Sequence, residues 1–328
     1  MYNQPITHYE LSTAIHKNMK NASPGPDNIH ATMLKNLHPD AVAYLLLLFN
    51  AIFTQAIYPE EWKLAYILPL LKPNMDPIST ESYRPIALTS VLGKKLFQKI
   101  LNKRFWWYLD QNNLLSPLQY GFRKGRNTIQ PLADLQNQIQ QAFLANAPLY
   151  TIFFDLQQAY PRVWRYYICK KLYDFGLKNN LPKILQSFLQ DRYISVRIQD
   201  QLSLPHKIEN GVPQGEVLSV LLFLVAINDL TKNVHFPITQ RLFADDYSLS
   251  LQASNPVRAH RLLQQTLDKI TDWSSGRGFQ FSVKKTVLVV FRKRGPPPII
   301  PPLYLQNFSI ASKDETKFLG LHFDHKLS

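Results

Sequence analysis

The sequence predicts an α+β fold, an antiparallel sheet flanked by helices, and three observations lead there. Arg241–Leu251 reads as strand, tight turn, strand: Leu242 and Phe243 run into Ala244-Asp245-Asp246, and Tyr247, Leu249 and Leu251 alternate with serines on the way out. Leu149–Phe154 is an unbroken aromatic and β-branched run, fit for a buried strand, and it ends on Asp155. Around these two stretches stand segments of helical periodicity.

The chain has 328 residues, room for two or three subdomains with a sizeable core. Hydrophobic residues make up 45% and charged residues 18%, which describes a globular rather than a disordered chain. The net charge of +14 is spread along the sequence and points to a polyanionic partner, nucleic acid before membrane, with a merely basic protein as the bland alternative. Cys169 is the only cysteine, so neither an intrachain disulfide nor a Cys-rich zinc site is available. The longest apolar run, Val217–Ile227, is interrupted by Ser219 and too short to span a bilayer. No signal peptide opens the sequence. A soluble protein of a reducing compartment is expected, with nucleus and cytoplasm both open and the oligomeric state unspecified.

Taken in order, Thr7-His8-Tyr9-Glu10 is a capping-box pattern that starts a helix carrying Leu11, Ile15 and Met19 on one face. The helix stops at the Pro/Gly loop 21–27, and an apolar helix is expected from Ala31 to Ala56. Trp62–Leu71 reads as extended, ending in Lys72-Pro73, and Tyr83-Arg84-Pro85-Ile86 follows. Ser90 is placed to cap a basic helix over 91–109. The stretch Gln119-Tyr120-Gly121-Phe122-Arg123-Lys124-Gly125-Arg126 interleaves basic residues with aromatics and glycines, a composition suited to tracking a nucleic-acid backbone. Helices are expected over 128–145, 159–173 and 183–189, then a hairpin over 193–209. Gly211-Val212-Pro213-Gln214-Gly215 turns into a helix reaching Leu230. A helix over 258–274 and a strand over 286–291 precede the stiff Pro-rich linker 295–302, and two short strands around Phe308 and Phe318–Leu321 close the chain.

Two adjacent carboxylates at a turn cannot both be buried unpaired, because desolvating each charge is expensive. Asp245 and Asp246 are read either as an ordinary Asp-Asp turn or, if the Asp155 strand lies beside them, as part of a carboxylate cluster. Asp155 alone could equally be a helix N-cap. A cluster of this kind suits Mg²⁺, a hard cation that takes oxygen ligands and keeps substrate phosphates in its shell.

Read collinearly, these residues resemble the reverse transcriptase domain of non-LTR (LINE-type, jockey-like) retrotransposons, over essentially the whole chain. The resemblance is carried by Ser23-Pro24-Gly25-Pro26-Asp27, Tyr83-Arg84-Pro85-Ile86-Ala87-Leu88 and Gly121-Phe122-Arg123. Asp155 with Ala159-Tyr160, Gly211–Gly215 with Leu218-Ser219, Phe243-Ala244-Asp245-Asp246, Gly278–Thr286 and Phe318-Leu319-Gly320 complete it. It implies a right-hand polymerase fold with an antiparallel palm sheet: fingers with an N-terminal extension over 1–148, palm over 149–294, and a linker and primer-grip region over 295–328 that begins a truncated thumb. It implies RNA-directed DNA polymerase activity, with an RNA template, a DNA primer, their RNA–DNA hybrid and dNTPs as partners. Asp155, Asp245 and Asp246, with the Leu156 carbonyl, would hold two Mg²⁺ ions, for which Mn²⁺ can substitute. Lys285 would supply a proton to the departing pyrophosphate. Lys72, Arg84, Tyr160, Gln214 and Gly215 would meet the nucleotide, Tyr160 as a gate against the 2′-hydroxyl. Arg123, Arg126, Phe318 and Gly320 would meet the nucleic acid.

Four positions depart from the family pattern. Pro161 is expected to push Tyr160 out of the helical region. Glu216, in place of Ser, is expected to bring negative charge near phosphates and weaken nucleotide or template binding. Val220 replaces a usual Pro and Asn28 a usual Gly. These changes keep open a catalytically impaired RNA-binding protein or a fragment of a decayed element. A group II intron-type maturase shares the catalytic motifs but would continue into an RNA-splicing domain.

Overall fold

The computed structural model describes residues 2–17 and 23–327; Met19, Asn21, Ala22 and Ser328 lie outside the described residues. Helix α1 (His8–His16) begins with the expected capping box, Glu10 N donating to Thr7 Oγ1 (3.2 Å) and Thr7 N to Glu10 Oε2 (3.0 Å). The single helix expected over 31–56 is two, α2 (Ala31–Lys35) and α3 (Pro39–Gln55), because Pro39 opens the second. A proline lacks the N–H that would continue the first helix but is well suited to start another. Strands β1 (Leu64–Leu71) and β2 (Tyr83–Leu88) follow. A π-helical turn at Leu92–Phe97 precedes α4 (Gln98–Gln111), and Ser90 Oγ accepts from Gly93 N at 3.1 Å.

After α5 (Ile129–Leu144) and β3 (Leu149–Phe154), the helix expected over 159–173 is again divided, into the single turn α6 (Ala159–Arg162) and α7 (Arg165–Asp174). Next come α8 (Asn180–Leu189) and β4 (Arg192–Ile198), which pairs antiparallel with both β5 (Gln201–Leu202) and β6 (His206–Ile208). Helix α9 (Val217–Ile227) ends three residues before the expected Leu230. The hairpin β7 (Thr239–Phe243) and β8 (Asp246–Gln252), helix α10 (Pro256–Ser275) and strand β9 (Val287–Phe291) match expectation closely. Beyond the proline-rich segment, where no regular element forms, stand five short strands rather than two: β10 (Tyr304–Leu305), β11 (Phe308–Ser309), β12 (Ala311–Lys313), β13 (Glu315–Phe318) and β14 (Leu321–Asp324). Among the described residues no helix is long and apolar enough to cross a membrane.

The chain forms two compact units, each discontinuous in sequence: residues 1–114 with 163–226, and residues 115–162 with 227–328. The sequential boundaries at 148 and 294 expected above do not coincide with these, and assigning the names fingers and palm to particular residues is a proposal.

The first unit carries a sheet in the order β2-β1-β4-β5, with β6 also on β4. Its core includes a cluster of rings from Phe49, Tyr58, Trp62, Phe97 and Phe188, most of them meeting edge to face. Glu216 belongs to this core, which corrects the expectation that its charge lies near phosphates. It is 2% exposed, accepts from Gln98 Nε2 at 2.7 Å, and pairs with Arg192 at 3.5 Å. The Arg192 guanidinium also donates to Phe188 O and lies over the Phe188 ring. Gln98 Oε1 accepts from Val217 N (3.2 Å) at the start of α9, where a helix has orphan donors. Burial, then the neighbouring Glu216 charge, pushes the Tyr58 phenol far above its usual range. Asn28, where the family pattern has Gly, has φ +53°, a region that Asn enters more readily than most side chains.

The second unit is organised on a sheet in the order β12-β9-β3-β8-β7. Every pairing is antiparallel except β12 on β9. All six residues of β3 are buried. Alternation along the strand sends Leu149 and Phe153 into a cluster with Leu132, Leu135 and Ile139 of α5 and with Val289 and Phe291 of β9. On the other face Phe154 meets Tyr247 and Phe281, with ring centroids 5.2 and 5.3 Å apart. The base of the hairpin is tied to α5 by buried Arg241, whose Nε lies 2.6 Å from Asp134. These contacts fix the end of β3 against the hairpin turn.

Candidate active site

Phe154 of β3 pairs with Tyr247 of β8, and Phe243 pairs with Asp246 across the hairpin. Asp155, one residue past Phe154, therefore emerges at the sheet end where the turn presents Asp245 and Asp246. A second segment clasps Asp155 from the β9 side. Ser282 N donates to Asp155 O at 2.7 Å, Gln157 N to Gln280 O at 2.8 Å, and Asp155 N to Thr286 Oγ1 at 3.4 Å. Leu156 bridges Phe281 in this arrangement, yet neither backbone bond of the bridge uses the Leu156 carbonyl. Lys285 is carried on the same segment, its Nζ 3.8 Å from Asp155 Oδ2.

The electrostatics are those of an acid cluster short of positive charge. Burial raises the Asp155 carboxyl, partly offset by Lys285. Burial raises Asp245, and the Asp155 charge adds to it. Asp246 is pushed up to about 6 by burial first, then by the charges of Asp245 and Asp155, although its side chain still reaches solvent. Tyr160 is pushed up to about 12 by burial and by the Asp245 charge, which places its phenol in the field of the cluster. In the metal-free chain the ionised Asp246 is disfavoured by folding, so its destabilising contribution is present above about pH 6 and vanishes below the unfolded-state value near 3.8. Asp246→Asn is expected to raise stability at pH 7 and to flatten the gain on acidification; urea titrations of both chains in EDTA at pH 5 and pH 7 check this.

Pro161 does not expel Tyr160 from the helical region. Tyr160 and Pro161 are the second and third residues of α6, whose first hydrogen bond runs from Arg162 N to Gln158 O at 3.1 Å. At that position the N–H that proline lacks has no intrahelical acceptor.

Arg123 and Arg126 take a different place from a freely presented basic patch. Arg123 Nη1 donates to Ser116 O at 2.9 Å; Arg126 Nη1 donates to Pro117 O and to Gln119 O, and its guanidinium covers the Tyr120 ring. Both guanidinia brace their own loop. Phe318 is 4% exposed and packs on Phe153 with centroids 5.3 Å apart, so its ring serves the core. Leu319 and Gly320 form the β13–β14 turn, with φ +48° and +90°. Lys72, Arg84, Gln214 and Gly215 belong to the first unit, at the end of β1, on β2 and in the turn before α9, with Arg84, Gln214 and Gly215 exposed. Gly215 has φ +93°, and a Cβ there would come no nearer than 3.9 Å to Ala87 O and Lys94 Nζ, so its backbone conformation is what calls for glycine.

Sequence reading missed the support beneath the turn. Gly121 lies so close that a Cβ there would sit 2.3 Å from Ala244 N. Gly121→Ala is expected to displace the Ala244–Asp246 turn and lower activity by about two orders of magnitude, as misplacement of about 1 Å can; single-turnover kinetics check this. The signal was in Gln-x-Gly directly before Phe122, which composition alone had assigned to nucleic-acid contact.

Among the described residues, no three or more His, Cys, Asp and Glu side chains are gathered as a ready-made metal site. The donor set nevertheless fits Mg²⁺, which is bound through one or two carboxylates completed by water and substrate phosphates. Burial raises Asp245 and Asp246 first, and the neighbouring carboxylate charges add to it; that charge repulsion is what a divalent cation would relieve.

The family model described as reverse transcriptase (RNA-dependent DNA polymerase) matches residues 70–323, which include the carboxylate turn and the Asp155 strand. The chain belongs to the reverse transcriptase family. It is 32% identical to the Drosophila melanogaster protein named "Probable RNA-directed DNA polymerase from transposon BS", over 99% of this chain and 36% of the relative. It is 28% identical to the RNA-directed DNA polymerase from mobile element jockey of the same species, over 98% of this chain and 36% of that protein. The jockey-like resemblance read from the motifs is thus borne out, and the chain spans about a third of the length of these relatives. Its fold resembles Candida tropicalis telomerase truncated from the C-terminal domain, with TM-score 0.52 and 16% identity over 87% of this chain and 59% of that one. The complex of that telomerase with a telomeric RNA fragment gives TM-score 0.54 at 14% identity, over 87% of this chain and 47% of the other. The expected polymerase fold is confirmed by this likeness. Members of the family generally use divalent metal ions.

Proposed function

We propose that the chain is the polymerising part of a non-LTR retrotransposon reverse transcriptase, adding dNTPs to a DNA primer 3′-hydroxyl on an RNA template. The observation that carries the reading is the meeting of Asp155 with Asp245 and Asp246 at one sheet end in a chain of this family. The basic net charge of +14 supports an RNA–DNA hybrid as the bound polyanion. The similar telomerase was solved in complex with a telomeric RNA fragment, which supports an RNA template.

Asp155 and Asp245 supply carboxylate oxygens, with Asp246 beside them and the Leu156 carbonyl left unused by its β-bridge. Two Mg²⁺ ions, when bound there, supply Lewis-acid stabilisation of the attacking and leaving oxygens. Lys285 is held on the Asp155 side of the cluster, where its ammonium proton is available to pyrophosphate. Tyr160, stationed by α6, sets the space beside the nucleotide sugar. Lys72 and Arg84 hold phosphate oxygens, Arg84 with the bidentate fork that guanidinium offers. Gln214 and Gly215 lie against the nucleotide and template, and Gly320 and the backbone around Phe318 against the primer. Pro161 and Glu216, the departures that favoured a binding-only protein, each have a structural place of their own, Pro161 within α6 and Glu216 paired with Arg192.

The test is extension of oligo(dT) on poly(rA) with dTTP, in Mg²⁺ and in EDTA. Metal-dependent incorporation supports the reading. RNA binding that falls with rising salt, with no incorporation in Mg²⁺ or Mn²⁺, overturns it in favour of a binding protein.

A further inference from the structure

We propose that Gln119 is a positioning residue for the acid turn, locking the backbone of Ala244 so that Asp245 is presented in one direction. The inference rests on the catalytic reading of Asp245 given above, and its observations are independent of that reading. Ala244 has φ +55°. For a residue with a Cβ this left-handed conformation is disfavoured, and it persists where surrounding contacts over-determine it. Gln119 supplies those contacts. Its side-chain carbonyl Oε1 accepts from Ala244 N at 2.8 Å and from Gly121 N at 2.7 Å, and its Nε2 donates toward Ala244 O at 3.4 Å. One buried amide thus addresses both the N–H and the C=O of the strained residue.

The side chain is itself fixed. Gln119 is 1% exposed, and its backbone forms a parallel bridge with Leu242, flanked by Tyr120 N to Leu242 O (2.8 Å) and Leu242 N to Leu118 O (3.3 Å). Gly121 lets this segment approach the turn closely enough for the bond to form. Segment 118–121 therefore acts as a short extra strand along β7, ending in an amide that grips the turn. A glutamine that served only its own loop would have no reason to direct both ends of its amide at a residue 125 positions away.

The experiment uses the whole chain and Gln119→Met, which keeps the volume but has neither acceptor nor donor. Amide hydrogen exchange across 243–246 is read in both proteins, together with the Mg²⁺ concentration giving half-maximal primer extension. Loss of a buried hydrogen bond should speed exchange at Ala244 about tenfold, confined to the turn and Gly121. Half-maximal Mg²⁺ should rise by a similar factor, with hybrid affinity unchanged. Unchanged exchange at Ala244 overturns the anchor; faster exchange with an unchanged Mg²⁺ requirement overturns its role in presenting Asp245. If Gln119→Met does not fold, Gln119→Asn keeps the amide on a side chain one methylene too short to reach Ala244 and should likewise speed exchange there; parental exchange at Ala244 overturns the anchor equally. A parent that extends no primer defeats the polymerase reading, and the exchange measurement still decides whether Gln119 holds the turn.

Discussion

Asp245→Asn is expected to lower nucleotide incorporation about a thousandfold while leaving RNA–DNA hybrid affinity within a few-fold of the parent. The substitution keeps the size of the side chain and removes one anionic donor from a set that has few. Stabilising charge at the reacting oxygens is worth several kcal/mol. A loss of about 4 kcal/mol corresponds to about three decades, since each 1.36 kcal/mol is tenfold in rate. Hybrid affinity depends mainly on the distributed positive charge, of which this change alters one unit in +14. Burial is the first cause that raises Asp246, and this change removes the Asp245 charge that adds to it, so the metal-free variant should also be no less stable than the parent. Pre-steady-state incorporation and filter binding on one preparation measure both quantities. Incorporation above a tenth of the parental rate would remove Asp245 from the proposed metal site.

Glu216→Ala is expected to destabilise the chain by about 3–5 kcal/mol, the usual result of leaving one partner of a buried ion pair alone. Arg192 is 1% exposed, so its guanidinium would stay buried with its carboxylate gone and, among the described residues, only Phe188 O accepting from it. Gln98 Nε2 would lose one of its two acceptors in the same step and keep only Tyr58 Oη, loosening the amide that receives the first N–H groups of α9. Urea denaturation reads the effect as a fall in midpoint at constant slope. The sequence had implied a different experiment, in which removing a charge near phosphates strengthens nucleotide or template binding. An unchanged midpoint would return Glu216 to that role.

The legible parts of the chain were those set by short-range chemistry. The strand period of 149–154, the alternation after Asp246 and the Thr7 capping box each specify a local geometry that tertiary packing had no cause to override. The acid cluster followed because β3 runs out directly into Asp155 and the hairpin turn carries Asp245 and Asp246. Interruptions within helices were less visible: Pro39 signalled one, but apolar periodicity ran through residues 36–38 and 163–164 without a break. Side-chain direction was least legible. Arg123 and Arg126 turn onto carbonyls of their own loop and Glu216 onto an arginine of the core, and composition cannot say whether a charged side chain faces a phosphate or the protein itself. Gln119 was hidden for the same reason, since its meaning depends on a residue far along the chain.

Strand β3 has a further consequence, during synthesis of the protein. Its six residues, Leu-Tyr-Thr-Ile-Phe-Phe, carry no charge and no proline, the composition of a segment that stacks readily with copies of itself. Their partners are residues 247–252 and 287–291. At about 5–20 residues per second a ribosome needs on the order of ten seconds to deliver the second of them. Until then the strand lacks at least one of its neighbours, and what bounds it is Pro148 on one side and Asp155 on the other. The acid proposed for metal binding in the finished protein is thus also placed as a gatekeeper in the nascent one. Asp155→Ala should aggregate more than Asp155→Asn when each is translated without chaperones, whatever either does to polymerisation.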